Sequence, residues 1–133
     1  GMQTERPGMF HGQSVAEEAG FCLVDTKYEF GRTANGEIAL IDEVHTPDSS
    51  RYWKAETVEQ PQPDQWDKEY VRLWYAEQDY RGDGPPPELP DNVIARAAQR
   101  YIVLYEGLTG ETFEPAPYPA EPRVIAVLNG YRM

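Results

Sequence analysis

Residues 25–43, DTKYEFGRTANGEIALIDE, place the strongest constraint on what this chain can fold into, because two runs of strand-forming residues meet at Asn35-Gly36. Asn-Gly is the strongest short-range hairpin signal: both central residues of a type I′ turn need φ > 0. A two-residue loop predicts that Thr33 faces Ile38, Phe30 faces Ile41 and Glu29 faces Asp42. The last pair is anomalous, since like charges directly opposed destabilise a sheet. Opposed Cα atoms in antiparallel strands lie about 4.5–5.5 Å apart, close enough for two carboxylates to share one ion. Mg²⁺ takes one or two protein carboxylates and completes its shell with water and phosphate oxygens. Glu29 and Asp42 are therefore candidate metal ligands, their repulsion being the metal-free state of a site. The same stretch also reads as a solvated polar face on which Lys27 neutralises Glu29. A longer loop would change the register altogether.

A chain of 133 residues suffices for one domain with a real core. A formal charge of −11 with no clustering of basic residues argues against a nucleic-acid surface. The single cysteine, Cys22, excludes an internal disulfide and is expected as a small buried hydrophobe in FCLV; the cytoplasm is the expected compartment. No run approaches the length of a membrane span, and no signal peptide is visible. Gly1 before Met2 reads as a tag-removal scar, with Met2 the expected native start.

Along the chain, residues 2–12 lack periodicity and read as an arm, and residues 13–19 as a helical turn stopped at Gly20. Residues 21–30 read as a strand paired with 37–45, the even face (Cys22, Val24, Thr26) buried. Residues 46–53, TPDSSRYW, read as a loop. Residues 67–79 read as a helix capped by Asp64 or Asp67, with Tyr70, Val71, Trp74 and Tyr75 on one face. Residues 91–108 read as a longer helix stopped at Gly110. The Pro-rich tail, 114–133, ends in RVIAVLNG, which reads as a terminal strand or as an apolar segment docking on another chain. The fold class expected is α+β, an antiparallel hairpin with two main helices packed beside it.

Two further stretches carry ligand-binding chemistry. In PDSSR, one carboxylate, two hydroxyls and a guanidinium fall within five residues (Asp48, Ser49, Ser50, Arg51) directly after the strand bearing Asp42. Arg captures carboxylate or phosphate bidentately; the same residues also suit an Asx or ST turn. In DKEYVRLW, Lys68 and Arg72 stand at i and i+4 and form a cationic pair, or else surface ion pairs with acids such as Glu69. His45 reads as a strand-end or structural histidine.

LVDTKYEFG, LIDEVHTPDSSRYW, DKEYVRLW and LPDNVIARAAQRYIVLYEGLTG, in unbroken order, resemble the C-terminal half of SAICAR synthetase (phosphoribosylaminoimidazole-succinocarboxamide synthase), the likeness running from about the helix before Gly20 to about Phe113. The resemblance implies an α+β C-terminal lobe over 21–113, preceded by an arm and short helix over 1–20. It implies a ligase of purine biosynthesis that joins the carboxylate of carboxyaminoimidazole ribonucleotide to the amine of aspartate, with ATP as co-substrate and Mg²⁺. By that resemblance Glu29 and Asp42 are the Mg²⁺–ATP carboxylates. Lys27, Asp48, Ser49, Ser50 and Arg51 line the substrate side, and Lys68 and Arg72 match basic positions of the family helix. No catalytic residue is assigned. Two positions depart from the family pattern: Glu69 stands where Gln is usual, and Leu73 where Asp is common. The family's N-terminal lobe, with its nucleotide-covering hairpin and ATP-contacting lysine, has no counterpart here. The expected partners are a separate N-terminal-lobe chain and a second copy in a homo-oligomer, and the isolated chain is expected to be inactive. The competing expectation is a non-catalytic nucleotide-binding or self-associating module.

Overall fold

The computed structural model describes residues 7–131. In chain order the elements are α1 (Pro7–Glu18), β1 (Phe21–Thr26), β2 (Glu29–Arg32), β3 (Ile38–Ile41), β4 (Ser50–Lys54), α2 (Glu69–Glu77), α3 (Asp91–Thr109) and α4 (Glu121–Gly130), with a 3₁₀ turn at Ala55–Thr57. The architecture is α+β. Among the described residues, no helix is long and apolar enough to cross a membrane.

The strands form two separate two-stranded antiparallel sheets, β1 with β4 and β2 with β3. This corrects the reading of residues 21–30 as one strand paired with 37–45, and of residues 46–53 as loop. The chain leaves the first sheet after Thr26, makes the hairpin, and returns as β4 to pair with β1. Leu23 lies opposite Tyr52, and the register shifts between Leu23 and Asp25 so that Asp25 meets Arg51 and Thr26 meets Ser50. Such a bulge re-aims the side chains that follow it. Before it, the inward residues are Phe21 and Leu23, at 1% and 2% exposure. The buried face is therefore the odd one, opposite to the sequence reading, and Cys22 is only half-buried.

The core packs Ala16 of α1 and Leu104 of α3 against Phe21, Leu23 and Tyr52, with Ala19, Trp66 and Leu108 at its border. Burying large apolar side chains is the main favourable term in such a fold. Arg100 of α3 pins the connector that leads to α2. Its guanidinium donates to Asp64 Oδ1 at 2.8 Å and to the Gln65 carbonyl at 2.7 Å, between the Trp66 and Tyr70 rings.

Helices α2 and α3 stand where periodicity placed them. Helix α1 begins earlier than expected, at Pro7, so residues 7–12 are helical rather than part of an arm; residues 1–6 of that arm lie outside the described residues. Proline suits a first turn, whose N–H has no helical partner, whereas two glycines in PGMFHG mask the helical pattern. Gly12 is required by packing: a Cβ there would lie 2.4 Å from His45 Cε1. The tail forms helix α4 in place of a terminal strand. Val124, Ile125, Val127 and Leu128 share one side of a helix, Pro122 fits the first turn, and the β-branched Val124, Ile125 and Val127 misdirected the strand assignment.

Candidate ligand-binding face

The hairpin turn holds three residues instead of two. Gly36 N–H donates to the Thr33 carbonyl at 2.9 Å, and Thr33 N–H to the Glu37 carbonyl at 2.9 Å. Gly36, at φ 85°, takes the left-handed position that closes a type I turn with a bulge. The extra residue moves the register by one: Glu29 lies opposite Ile41 and Phe30 opposite Leu40. The predicted Glu29–Asp42 cross-strand pair is thus absent, as a one-residue slip exchanges faces. Asp42 nevertheless reaches the same cavity as Glu29. It lies beyond the end of β3 at φ 65°, a left-handed conformation that Asp tolerates better than most residues and that ends the strand alternation.

Two abutting cavities hold the candidate residues. One, of about 130 Å³, is lined by Lys27, Glu29, Asp42, Asp48, Ser49 and Lys68, together with Glu43. The other, of about 120 Å³, shares Asp48, Ser49 and Lys68 and adds Ser50, Arg51 and Arg72, with Asp25, Asp67 and Glu69. The structure thus brings together every candidate ligand-binding residue read from the sequence, from the β1–β2 connection and β2, the β3–β4 loop, β4 and the start of α2.

The loop before β4 is the organiser. Thr46 N–H donates to Ser49 Oγ at 3.2 Å and Ser49 N–H to Thr46 Oγ1 at 3.1 Å, a reciprocal clasp. Its carbonyls hold the two lysines by their backbones: Lys27 N–H donates to Ser49 at 3.2 Å and Lys68 N–H to Pro47 at 3.0 Å. Behind the loop, Tyr52 Oη donates to the His45 carbonyl at 2.7 Å, and Tyr28 Oη lies 2.6 Å from His45 Nε2. Burial of the Tyr52 phenol pushes its pKa up to about 12. Burial, reinforced by nearby His11, lowers that of His45.

Asp67 was read only as a helix cap. It is 3% exposed and accepts backbone N–H bonds from Tyr52 at 2.8 Å and Glu69 at 2.8 Å. One carboxylate therefore ties β4 to the start of α2 and sets where Lys68 and Arg72 stand. Burial raises its pKa, against the lowering by those two N–H donors. Asp64, the other candidate cap, instead accepts from Trp66 Nε1 and from Arg100.

Each cation on this face is paired with an acid of the same face. Lys27 contacts Glu29. Lys68 lies 3.2 Å from Asp48, Arg72 3.3 Å from Glu69 and Arg51 3.7 Å from Asp25. The bond to Glu29 and its charge raise the pKa of Lys27, and the bond and charge of Lys68 lower that of Asp48. Asp25 and Glu43 were missed by the sequence reading. Asp25 joins the face only through the bulged pairing with Arg51, whereas Glu43, adjoining Asp42, was a legible acid. Among the described residues no trio of carboxylate, imidazole or thiol groups is arranged to hold a metal ion by itself.

These features define an α+β lobe whose open face pairs carboxylates with ammonium and guanidinium groups, a surface suited to anionic ligands. The chain belongs to the SAICAR synthetase family, whose model matches residues 10–87. It is 46% identical over 123 residues to the phosphoribosylaminoimidazole-succinocarboxamide synthase of Legionella pneumophila (strain Lens), covering 86% of this chain and 39% of that protein. Among solved structures it resembles SAICAR-synthase from Saccharomyces cerevisiae complexed with SAICAR, at TM-score 0.69 and 34% identity over 80% of this chain and 36% of that one. It also resembles a type-2 SAICAR synthetase in complex with ADP, at TM-score 0.53 and 30% identity over 77% of this chain and 34% of that one. The chain thus spans little more than a third of the length of these relatives.

Proposed function

We propose that this chain supplies the substrate and metal–phosphate face of an ATP-dependent, amide-forming ligase of purine biosynthesis. The reaction joins the carboxylate of carboxyaminoimidazole ribonucleotide to the amine of aspartate, and proceeds only with the remainder of the synthetase fold in place. The observation that supports this most directly is convergence: polar residues from four separate segments line two abutting cavities, and they all fall within residues 10–87. Folding alone does not require exposed residues such as Asp42, Asp48, Arg51 and Arg72 to meet.

The residues fit a magnesium–phosphate group. Glu29 and Asp42 offer only oxygen donors in one small cavity, and a hard cation that keeps water and phosphate ligands needs no third carboxylate. They would hold Mg²⁺, which supplies charge neutralisation at the transferring phosphoryl group. Lys27, freed from Glu29 in that state, would face phosphate oxygens. Arg51, Lys68 and Arg72 would hold the carboxylates and phosphate of the two substrates, whose mutual repulsion must be offset before the amine can approach. Ser49 would donate its hydroxyl beside them. Such an enzyme would act in the cytoplasm, the compartment expected from the lone cysteine.

The test is product formation from carboxyaminoimidazole ribonucleotide, aspartate and Mg²⁺–ATP. The isolated chain should give none. A protein in which this chain replaces the matched segment of the Legionella synthase should give product. In that protein Asp42→Asn should lower turnover by at least about 100-fold, the range for loss of one charge-stabilising group, while the melting temperature of the isolated chain holds. Robust turnover by the isolated chain, or an active Asp42→Asn hybrid, would refute the proposal, and a folded but inactive hybrid favours a non-catalytic binding module.

A further inference from the structure

We infer that the β2–β3 hairpin is the seam on which the remainder of the synthetase fold docks. The inference rests on the reading above only for the identity of that occupant. Among the described residues the two strands bond to each other alone, and neither packs substantially against another element. An isolated two-stranded ribbon is marginal in water; it needs more strands or a packed face. Yet half of the residues in these strands are large and apolar, and they are exposed: Phe30 at 64%, Ile38 at 73%, Leu40 at 49% and Ile41 at 46%. Phe30 and Leu40 are direct cross-strand partners and Ile38, two residues from Leu40, stands on the same face, so these three exposed groups form one patch, while Ile41 lies on the opposite face over Gly31. A contiguous apolar patch on an otherwise strongly acidic chain marks a surface that is covered in use.

Two observations select the occupant. The hairpin lies inside residues 10–87 matched by the family model, and more than 60% of the length of the Legionella relative has no counterpart in this chain. The hairpin is also continuous with the ligand-binding face: Glu29 of β2 and Asp42, just past β3, line the first cavity. A body seated on the hairpin therefore borders the cavity and comes within reach of a phosphate held there by the cationic side chains or by a cation on the two acids. Each strand has one unpaired edge, so the occupant has backbone groups to extend the sheet as well as an apolar patch to cover.

The experiment compares the isolated chain with the hybrid in which it replaces the matched segment of the Legionella synthase. Amide hydrogen exchange over residues 29–41 should be at least about tenfold slower in the hybrid, since a covered sheet opens less often. Phe30→Ser with Leu40→Ser should leave the melting temperature of the isolated chain within about 2 °C and lower that of the hybrid by more than about 5 °C. The inference fails if the double variant leaves the hybrid unchanged, or if the hairpin exchanges equally fast in both. It fails equally if the hybrid does not fold beside a parent that does, or if the isolated chain forms a dimer, seen by sedimentation, that protects the hairpin. A hybrid with a protected, Phe30-dependent hairpin but no product would sink the enzymatic reading and leave the seam standing.

Discussion

The two sheets of this molecule are built alike and treated differently. Both are two-stranded and antiparallel, and both carry aromatic and branched residues. In the β1–β4 sheet Phe21, Leu23 and Tyr52 are no more than 2% exposed, whereas in the β2–β3 sheet Phe30 and Ile38 are more than 60% exposed. The difference is what lies against them. Helix α1 packs on β1, and Leu104 of α3 joins the same core, while among the described residues nothing comparable covers the hairpin. Side-chain chemistry makes a residue suitable for burial, but only a second layer removes it from water. The candidate ligand-binding face straddles this boundary: Arg51 stands on the supported sheet, and Glu29 on the unsupported one.

The contrast is broken most directly by truncating each sheet. Phe21→Ala or Tyr52→Ala should cost about 3–5 kcal/mol, as for other buried aromatics, read by equilibrium denaturation of the isolated chain. Phe30→Ala should cost less than about 0.5 kcal/mol, as at other exposed sites. Equal losses would erase the distinction.

A smaller effect is expected at the joint between the supported sheet and α2. Asp67→Asn removes one of two acceptors facing buried backbone N–H groups and should cost about 1–3 kcal/mol. Because Asp67 sets the position of α2, the substitution should also speed hydrogen exchange at the Tyr52 and Glu69 amides. Unchanged exchange at both would show that the joint is held by other contacts.

The smallest effect is a pH slope. His45 belongs to the loop that links the sheets, and burial lowers its pKa from the ordinary 6.5, helped by His11. The unfolded chain therefore binds a proton more readily than the folded one. The stability this histidine contributes is present above pH 6.5 and is lost as pH falls through its lower folded value. Denaturation curves from pH 7.5 downward should show that slope, and His45→Gln should flatten it. An unaltered slope in the variant would assign the acid sensitivity elsewhere.

Helices α2 and α3 were legible because a helix is written in neighbours: the i→i+4 bond and the apolar stripe both lie within one segment. Asn35-Gly36 was equally legible as the place where the chain reverses. The register was not, because two-residue and three-residue loops share the Asn-Gly signal and differ only in how the strands settle. The face could be listed from the sequence although its geometry could not. Glu29 and Asp42 were linked through a cross-strand pairing that does not exist, and they meet because Asp42 leaves the strand in a left-handed conformation. Asp25 was missed because its partner strand, β4, was read as loop, and Asp67 because a cap and an inter-element tie look alike in sequence.

By itself the sequence determined the α+β class, helices α2 and α3, the position of the turn and the family, since each is carried by local periodicity or by contiguous motifs. Only the tertiary structure decided that β1 pairs with β4 across the intervening hairpin and that the odd face of β1 is buried. It also decided that one sheet is covered while its twin is bare. Strand pairing and burial are set by residues far apart in the chain, and their energies depend on what the rest of the fold brings alongside.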